Sequence, residues 1–278
     1  MKLVVPTVAA LALMAVSVVS QENPAAPLQA SPDVAMMRAV FRISGPGDTS
    51  RIRITGTGFL VERPNAAAAA GIDCIAVTAA HVLRQISGDQ ATFLIQMLRP
   101  DGKFQRLFLP VRIRQRGAQL WTELPSVDVA VMRIPPPKAG VRSIPFDMLA
   151  TDADMEKRLA LNVGDSVHAL SYPFGYEFNE FPAVRSAVLA SYPLAPASVV
   201  KQLVVDFMSV GGDSGGPVYT RSRNMGTAQA TEGVKVLGMV AQQILSPDRL
   251  QNTGLTSVTP AEFIRQAIGL LPSGAEAK

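Results

Sequence analysis

The sequence predicts an all-β protein built from two sets of strands and closed by a C-terminal helix. From Met36 onward, short apolar and β-branched runs alternate with turn residues such as Gly, Pro and Asp. Many short strands with regularly spaced turn signals are typical of sandwiches and barrels, not of parallel α/β folds. A hydrophobic fraction of 48% and a charged fraction of 17% argue for a packed core and against disorder.

The strand pattern is interrupted at residues 135–140, which include three consecutive prolines. Proline cannot donate a hydrogen bond to a sheet ladder and favours extended chain. We therefore predict an N-terminal unit over residues 36–140, a linker over residues 141–160 and a C-terminal unit over residues 161–271. A tail follows at residues 272–278.

A helix is predicted to complete the C-terminal unit. Thr259 can act as its N-cap, and Pro260 suits the first helical position. Glu262 would complete a capping box just ahead of the apolar Phe263 and Ile264.

The N-terminus has the form of an export signal. Lys2 precedes an apolar run over residues 3–19, and Ser20 supplies a small residue at a cleavage site. We predict a signal peptide over residues 1–20, a flexible leader over residues 21–35 and a periplasmic or secreted protein. An uncleaved membrane anchor is the alternative, because the apolar run approaches the length that spans a bilayer.

Charge and composition exclude several classes of partner. The net charge is +4, and the arginines between Arg106 and Arg116 are interleaved with apolar residues, as on the solvent face of a strand. We therefore expect no nucleic-acid partner. Two histidines are too few for a metal cluster, and one cysteine, Cys74, cannot form an intramolecular disulfide. No metal and no cofactor are predicted.

Three segments carry residues suited to nucleophilic catalysis. His81 ends a β-like run over residues 77–83, Asp128 lies in an apolar strand-like run, and Ser214 lies in the glycine-rich residues 211–217. A serine hydroxyl needs an adjacent base, which His81 can supply. A carboxylate among apolar residues needs a partner, and Asp128 can hold the imidazole in the correct tautomer.

The glycines around Ser214 allow a tight backbone in which successive N–H groups face one point. The N–H groups of Gly212 and Ser214 are candidates for an oxyanion hole, in which one donor contributes about 2.7–4 kcal/mol to the transition state. Taken alone, the same segment also fits a glycine-rich turn that carries an ordinary surface serine.

The three segments together resemble the signature segments of the trypsin/chymotrypsin-like serine peptidases. Residues 78–81, 128–130 and 212–217 occur in the family's order of His, Asp and Ser. The resemblance implies two antiparallel six-stranded β-barrels of the trypsin-like type, with the site between them. Residues 172–175 and 184–188 are more similar to bacterial members, including the HtrA-type protease domain, here without a PDZ domain.

The resemblance also implies a substrate pocket. It places Met208 at the base of that pocket, with Gln243 and Gly254 on its walls. Because a thioether carries no negative charge, we expect cleavage after medium-sized apolar residues. The sequence has no activation site like that of the animal enzymes, so the partner of Asp213 stays open.

These residues predict a serine endopeptidase that hydrolyses peptide bonds of a polypeptide substrate. An acyl-enzyme would form on Ser214, with His81 and Asp128 as the base pair. Two alternatives use the same fold: a catalytically silent binding module, and an esterase with the same triad. The sequence makes no prediction about the oligomeric state.

Overall fold

The computed structural model describes residues 32–272, except residues 50, 67, 69–70, 126, 136–139, 179–180 and 222–233. The predicted signal peptide and most of the predicted leader and tail lie outside the described residues. Within these limits, no helix has both the length and the apolar character needed to cross a membrane.

The N-terminal half contains ten described strands. They are β1 Val40–Pro46, β2 Arg53–Pro64, β3 Ile72–Thr78, β4 Gln90–Leu98, β5 Phe104–Arg112, β6 Arg114–Gln115, β7 Ala118–Gln119, β8 Thr122–Glu123, β9 Ala130–Ile134 and β10 Ile144–Pro145.

Eight of these strands form one sheet. Its hydrogen-bonded order is β5–β4–β1–β2–β3–β9–β8, and β10 joins β2 in parallel. Strand β3 is central and buried along nearly its whole length, whereas β5 lies at the edge and is mostly accessible to solvent. The resemblance implies six strands in this unit, and the additional strands β8 and β10 are only two residues long each.

The C-terminal half contains six described strands. They are β11 Ser166–Ser171, β12 Ala183–Leu189, β13 Leu203–Asp206, β14 Pro217–Arg221, β15 Val234–Leu245 and β16 Asn252–Pro260. They close into a barrel in the order β11–β12–β13–β16–β15–β14, because β14 also pairs with β11. Closure leaves no free sheet edge. The predicted all-β fold class, with its C-terminal helix, is confirmed.

Four α-helices accompany the strands in the described part of the chain. They are α1 Pro32–Met37, α2 Ala80–Gln85, α3 Ala197–Val200 and α4 Ala261–Gly269. Single helical turns are also formed at Phe146–Met148, Asp154–Arg158 and Pro173–Gly175.

The predicted capping box of the terminal helix is wrong. Thr259 and Pro260 are the last residues of β16, where they pair with Met239 and Gly238 of β15. Helix α4 begins at Ala261, and no side chain donates or accepts a hydrogen bond at its N-cap. Strand pairing thus occupies the residues that the sequence pattern assigns to a cap.

The predicted linker and α4 both join the two halves. Within the linker, Ile144 belongs to β10, and Leu149 forms a bridge with Val236 of β15. Both side chains are buried. The Arg265 guanidinium of α4 donates hydrogen bonds to the carbonyl of Leu149 and to that of Phe146, each at 3.1 Å. The linker is therefore packed between the halves.

A buried carboxylate, Asp73 of β3, fastens α4 to the N-terminal sheet through its arginine partners. It accepts hydrogen bonds from Arg63 at 2.9 Å, from Asn65 at 2.9 Å and from Arg133 at 3.1 Å. Arg63 also donates to the carbonyl of Ile268 in α4 at 3.2 Å. Burial acts to raise the pKa of Asp73, but the hydrogen bonds outweigh it and lower the pKa to about 2.

We expect Asp73→Asn to lower the free energy of unfolding by about 2 kcal/mol at neutral pH. Because the pKa is depressed in the folded protein, this stabilisation is present above about pH 4 and is lost as the pH falls toward 2. Urea unfolding at several pH values measures it. The variant should lose less stability than wild type over that range. Asp101→Asn, at an exposed position, is the control, and parallel pH curves for Asp73→Asn and wild type would contradict the prediction.

Candidate active site

His81 and Asp128 lie side by side at the surface between the two halves. His81 Nδ1 is 2.6 Å from one carboxylate oxygen of Asp128, and the His81 backbone N–H donates to the other at 3.0 Å. Because an ionised carboxylate only accepts hydrogen bonds, Nδ1 carries the proton of the neutral ring. Nε2 is then free to accept a proton. These two contacts hold His81 at both its backbone and its ring.

The local structure around these residues differs from the sequence-based expectation in two respects. Strand β3 ends at Thr78, and His81 lies in the first turn of α2, so the prediction that it ends a strand is wrong. Asp128 precedes β9, and its side chain is 30% exposed instead of fully interior. The first turn of α2 brings both the ring and the backbone N–H of His81 to the Asp128 carboxylate.

The hydrogen bonds from His81 also set the charge of Asp128. Burial acts to raise the pKa of Asp128, but its hydrogen bonds with His81 and the positive charge that His81 carries when protonated outweigh burial and lower the pKa. A smaller contribution comes from the positive charge of Arg84. Asp128 is therefore an ionised acceptor at neutral pH.

Ser214 lies next to β15 of the C-terminal barrel. Its hydroxyl donates to the carbonyl of Ala241 at 3.2 Å, and its own carbonyl accepts from the N–H of Thr57 at 2.9 Å. Among the described residues, no hydrogen bond joins Ser214 to His81. The structure thus shows the paired His81 and Asp128 together with a serine hydroxyl held by another partner.

The peptide groups before Ser214 leave two N–H groups free. The carbonyl of Gly211 accepts from the N–H of Phe174 at 2.5 Å, and the carbonyl of Asp213 accepts from the N–H of Gly216 at 3.0 Å. In a planar trans peptide the N–H points opposite to the carbonyl. In the described part of the chain, the N–H groups of Gly212 and Ser214 donate to no protein acceptor.

Buried Thr57 holds this loop in place, a role that the sequence analysis missed. Its hydroxyl donates to the carbonyl of Gly212 at 2.7 Å and accepts from the N–H of Tyr172 at 3.0 Å. Gly212 has φ +94°, and a Cβ there would lie 2.3 Å from the Tyr172 carbonyl oxygen. Only glycine fits this backbone without displacement.

Asp213, whose partner the sequence left open, is held by side chains of the barrel. Its carboxylate forms an ion pair with Arg185 of β12 and accepts from the Ser171 hydroxyl at 2.8 Å and the Val210 N–H at 2.7 Å. Arg185 also donates to the carbonyl of Met208 at 3.2 Å. The fully buried Asp213 is thus paired with side-chain and backbone groups of the C-terminal half.

The three predicted pocket residues are placed as follows. Met208 is 56% exposed, and its carbonyl is bound by Arg185. The Gln243 side chain accepts from Asn252 at 2.8 Å, and the Gly254 N–H donates to the same asparagine at 2.9 Å. The assignment of these residues to a substrate pocket stays a prediction.

A cavity of about 830 Å³ lies beside the histidine, between the two halves of the molecule. His81, Asp128, Ala241 and Gln242 are among its lining residues. An adjoining cavity of about 460 Å³ shares Gln242 and extends to Gln243. This space follows the exposed end of β15.

Comparisons with known proteins agree with this architecture. The family model of the trypsin-like peptidase domain matches residues 56–225. The serine endoprotease from Yersinia pestis is 17% identical, with a TM-score of 0.49, over 86% of this chain and 65% of that chain. The chain therefore spans less than two thirds of the Yersinia protein.

The Rv3671c protease from M. tuberculosis, in its active form, is 18% identical, with a TM-score of 0.51, over 90% of this chain and 88% of that chain. At this identity the likeness concerns the fold alone. No curated protein matches the sequence.

The matched family segment spans more than half of the 278 residues and contains His81, Asp128 and Ser214. The chain belongs to the trypsin-like peptidase domain family.

Proposed function

We propose that the protein is a serine endopeptidase that cleaves polypeptides by acyl transfer through Ser214. The observation that carries the proposal is the contact of 2.6 Å between His81 Nδ1 and Asp128, beside a serine whose loop presents two free N–H groups. A buried or half-buried acid that fixes a histidine tautomer is the arrangement that a general base requires.

The proposed reaction has two balanced steps. In the first, Ser214 Oγ attacks the peptide carbonyl while its proton passes to His81 Nε2, and His81 then protonates the departing amine nitrogen. In the second, water attacks the ester, His81 takes the water proton, and that proton returns to Ser214 as the acid leaves. The N–H groups of Gly212 and Ser214 would stabilise the oxyanion in both steps.

In this proposal, the Ser214 hydroxyl of the free enzyme donates its hydrogen bond to the Ala241 carbonyl. Rotation about the serine Cα–Cβ bond between staggered rotamers releases the hydroxyl from the carbonyl. Catalytic hydrogen bonds are often long in free enzymes and tighten when substrate binds. We therefore expect the hydroxyl to turn toward His81 in the substrate complex.

A fluorophosphonate probe tests the nucleophile directly. We expect the folded wild type to be labelled at Ser214, as determined by mass spectrometry of proteolytic fragments, and Ser214→Ala to remain unlabelled. Ser246→Ala, in the turn after β15, is the matched control and should label like wild type. Labelling of another serine, or no labelling of folded wild type, would contradict the proposal.

The Ala241 contact is the observation that favours a silent binding module over an enzyme. A protein of that kind would bind peptides without forming a covalent adduct with the probe. An esterase would label, but would turn over activated esters and leave peptides intact. Comparing ester and peptide turnover on an unlabelled portion of the same preparation separates the three functions.

A further inference from the structure

Three exposed aromatic side chains lie in the loop between β11 and β12. Phe174 is 64% exposed, Tyr176 is 66% exposed and Phe178 is 50% exposed. We call residues 173–178 the aromatic loop. The Phe174 and Tyr176 rings contact each other edge to face, with their centroids 6.5 Å apart. A cluster of large apolar side chains at the surface indicates a binding surface more often than an isolated exposed residue does.

The aromatic loop is held to the N-terminal sheet by charged and hydrogen-bonding groups. Arg42 of β1 donates to the carbonyl of Gly175 at 2.7 Å and forms an ion pair with Glu177 at 2.8 Å. Phe174 has φ +55°, a conformation that bulky residues rarely adopt. Such backbone persists where the surrounding structure enforces it, and it clusters at functional sites. The exposed rings are thus presented by a fixed backbone.

The aromatic loop is part of the surroundings of Ser214. The N–H of Phe174 binds the Gly211 carbonyl, which orients the free N–H of Gly212. A Cβ on Gly175 would lie 3.0 Å from the Thr55 side chain, two residues before the Thr57 whose N–H binds Ser214. The aromatic loop therefore lies beside β2 and beside residues 211–214, which we call the oxyanion loop.

The other flank of Ser214 is formed by β15 and the cavities that follow it. The Ser214 hydroxyl contacts Ala241, and both Ala241 and Gln242 line the larger cavity. The aromatic loop contacts the loop before Ser214 through Phe174, whereas β15 contacts the Ser214 hydroxyl through Ala241. A polypeptide bound with its acyl portion along β15 would extend its leaving portion toward the aromatic loop.

We propose that Phe174 and Tyr176 bind the part of the substrate that follows the scissile bond and select large apolar or aromatic residues there. The inference rests on the proposed acyl transfer through Ser214. It concerns the leaving portion of the substrate, whereas the expected pocket at Met208 concerns the acyl portion.

Partitioning of the acyl-enzyme isolates the leaving side. The acyl-enzyme is formed from one p-nitrophenyl ester of a blocked apolar amino acid, and added amino acid amides compete with water for it. The amine nitrogen attacks the ester carbonyl, the bond to Ser214 Oγ breaks, and the amine proton passes through His81 to the serine. We expect phenylalanine amide and leucine amide to capture the acyl group about tenfold better than glycine amide.

Two variants and a matched control connect this preference to the loop. Tyr176→Ser removes one ring, and Phe174→Asn removes the other with a residue that tolerates positive φ. Both should bring the capture ratio of phenylalanine to glycine amide toward one. Tyr192→Ser, which removes an 83% exposed tyrosine between β12 and β13, should keep the wild-type ratio.

The outcomes separate this inference from the proposed function. Failure to form any acyl-enzyme overturns the proposed function, and this inference falls with it. A normal acyl-enzyme that captures both amides equally overturns this inference alone, as does a preference that survives in both loop variants. If Tyr176→Ser abolishes self-association in sedimentation while the capture ratio is unchanged, the surface belongs to a second copy of the chain and the inference is wrong.

Discussion

Asp128→Asn is expected to lower kcat about 10⁴-fold while the protein stays folded, the scale on which a triad acid acts. The carboxylate accepts from the backbone N–H and from Nδ1 of His81. An amide has only one acceptor oxygen, so one of these contacts would face its NH₂ group. If the ring then adopts the other tautomer, Nε2 carries the proton and cannot act as a base.

Turnover of a fluorogenic peptide measures this effect, and circular dichroism checks the fold. Asp101→Asn is the matched control, because Asp101 also accepts a backbone hydrogen bond, from the Lys103 N–H, but does so in an exposed turn. Its kcat should stay within about twofold of wild type. A folded Asp128→Asn that retains kcat within tenfold would show that Asp128 does not orient the base.

Arg185→Met is expected to destabilise the protein by about 3–5 kcal/mol, because it leaves the Asp213 carboxylate buried without its ion partner. The adjoining loop carries both free N–H groups, so kcat should also fall about 10²–10³-fold, the effect of losing one oxyanion donor. Urea unfolding and peptide turnover measure the two effects separately.

A double-mutant cycle identifies the ion pair as the cause. Arg185→Met combined with Asp213→Asn removes both charges, so much of the stability lost in the single variant should return. Arg99→Met is the surface control: its side chain is 50% exposed and that of its partner Asp101 is 43% exposed, and exposed pairs contribute about 0–1 kcal/mol. If the losses of the two single variants simply add, Arg185 and Asp213 are not coupled.

The sequence predicted the parts of the fold and site that short-range patterns encode. Alternating apolar runs and turn residues indicated the all-β fold class, which is confirmed. Residue type and neighbouring residues indicate His81 and Asp128 as a base and its acid partner. The structure brings their side chains into contact. The glycine-rich segment indicates Ser214 as the nucleophile. In the described residues, this segment leaves the N–H groups of Gly212 and Ser214 without a protein acceptor.

The remaining features depend on contacts between residues far apart in the sequence. Thr57 binds Gly212 across 155 residues, and a buried threonine in a strand has no sequence signal for that role. Arg185 is one of several arginines that alternate with apolar residues, so only the register of β12 selects it as the partner of Asp213. The start of α2 was missed because residues 77–83 contain the β-branched and small residues that suit a strand.

Helix α4 determines when the cleft can be completed during synthesis. Its Arg265 holds the segment between the halves, and its Ile268 carbonyl is bound by Arg63 of the N-terminal sheet. Translation produces α4 after every strand of both halves, and folding on the ribosome proceeds from the N-terminal units onward. The nascent chain can therefore form the sheet with His81 and Asp128 early, yet it lacks the contacts that α4 adds between the halves until α4 has left the exit tunnel. A ribosome-bound chain stalled before α4 leaves the tunnel should have a folded N-terminal half and a C-terminal half that α4 does not yet hold.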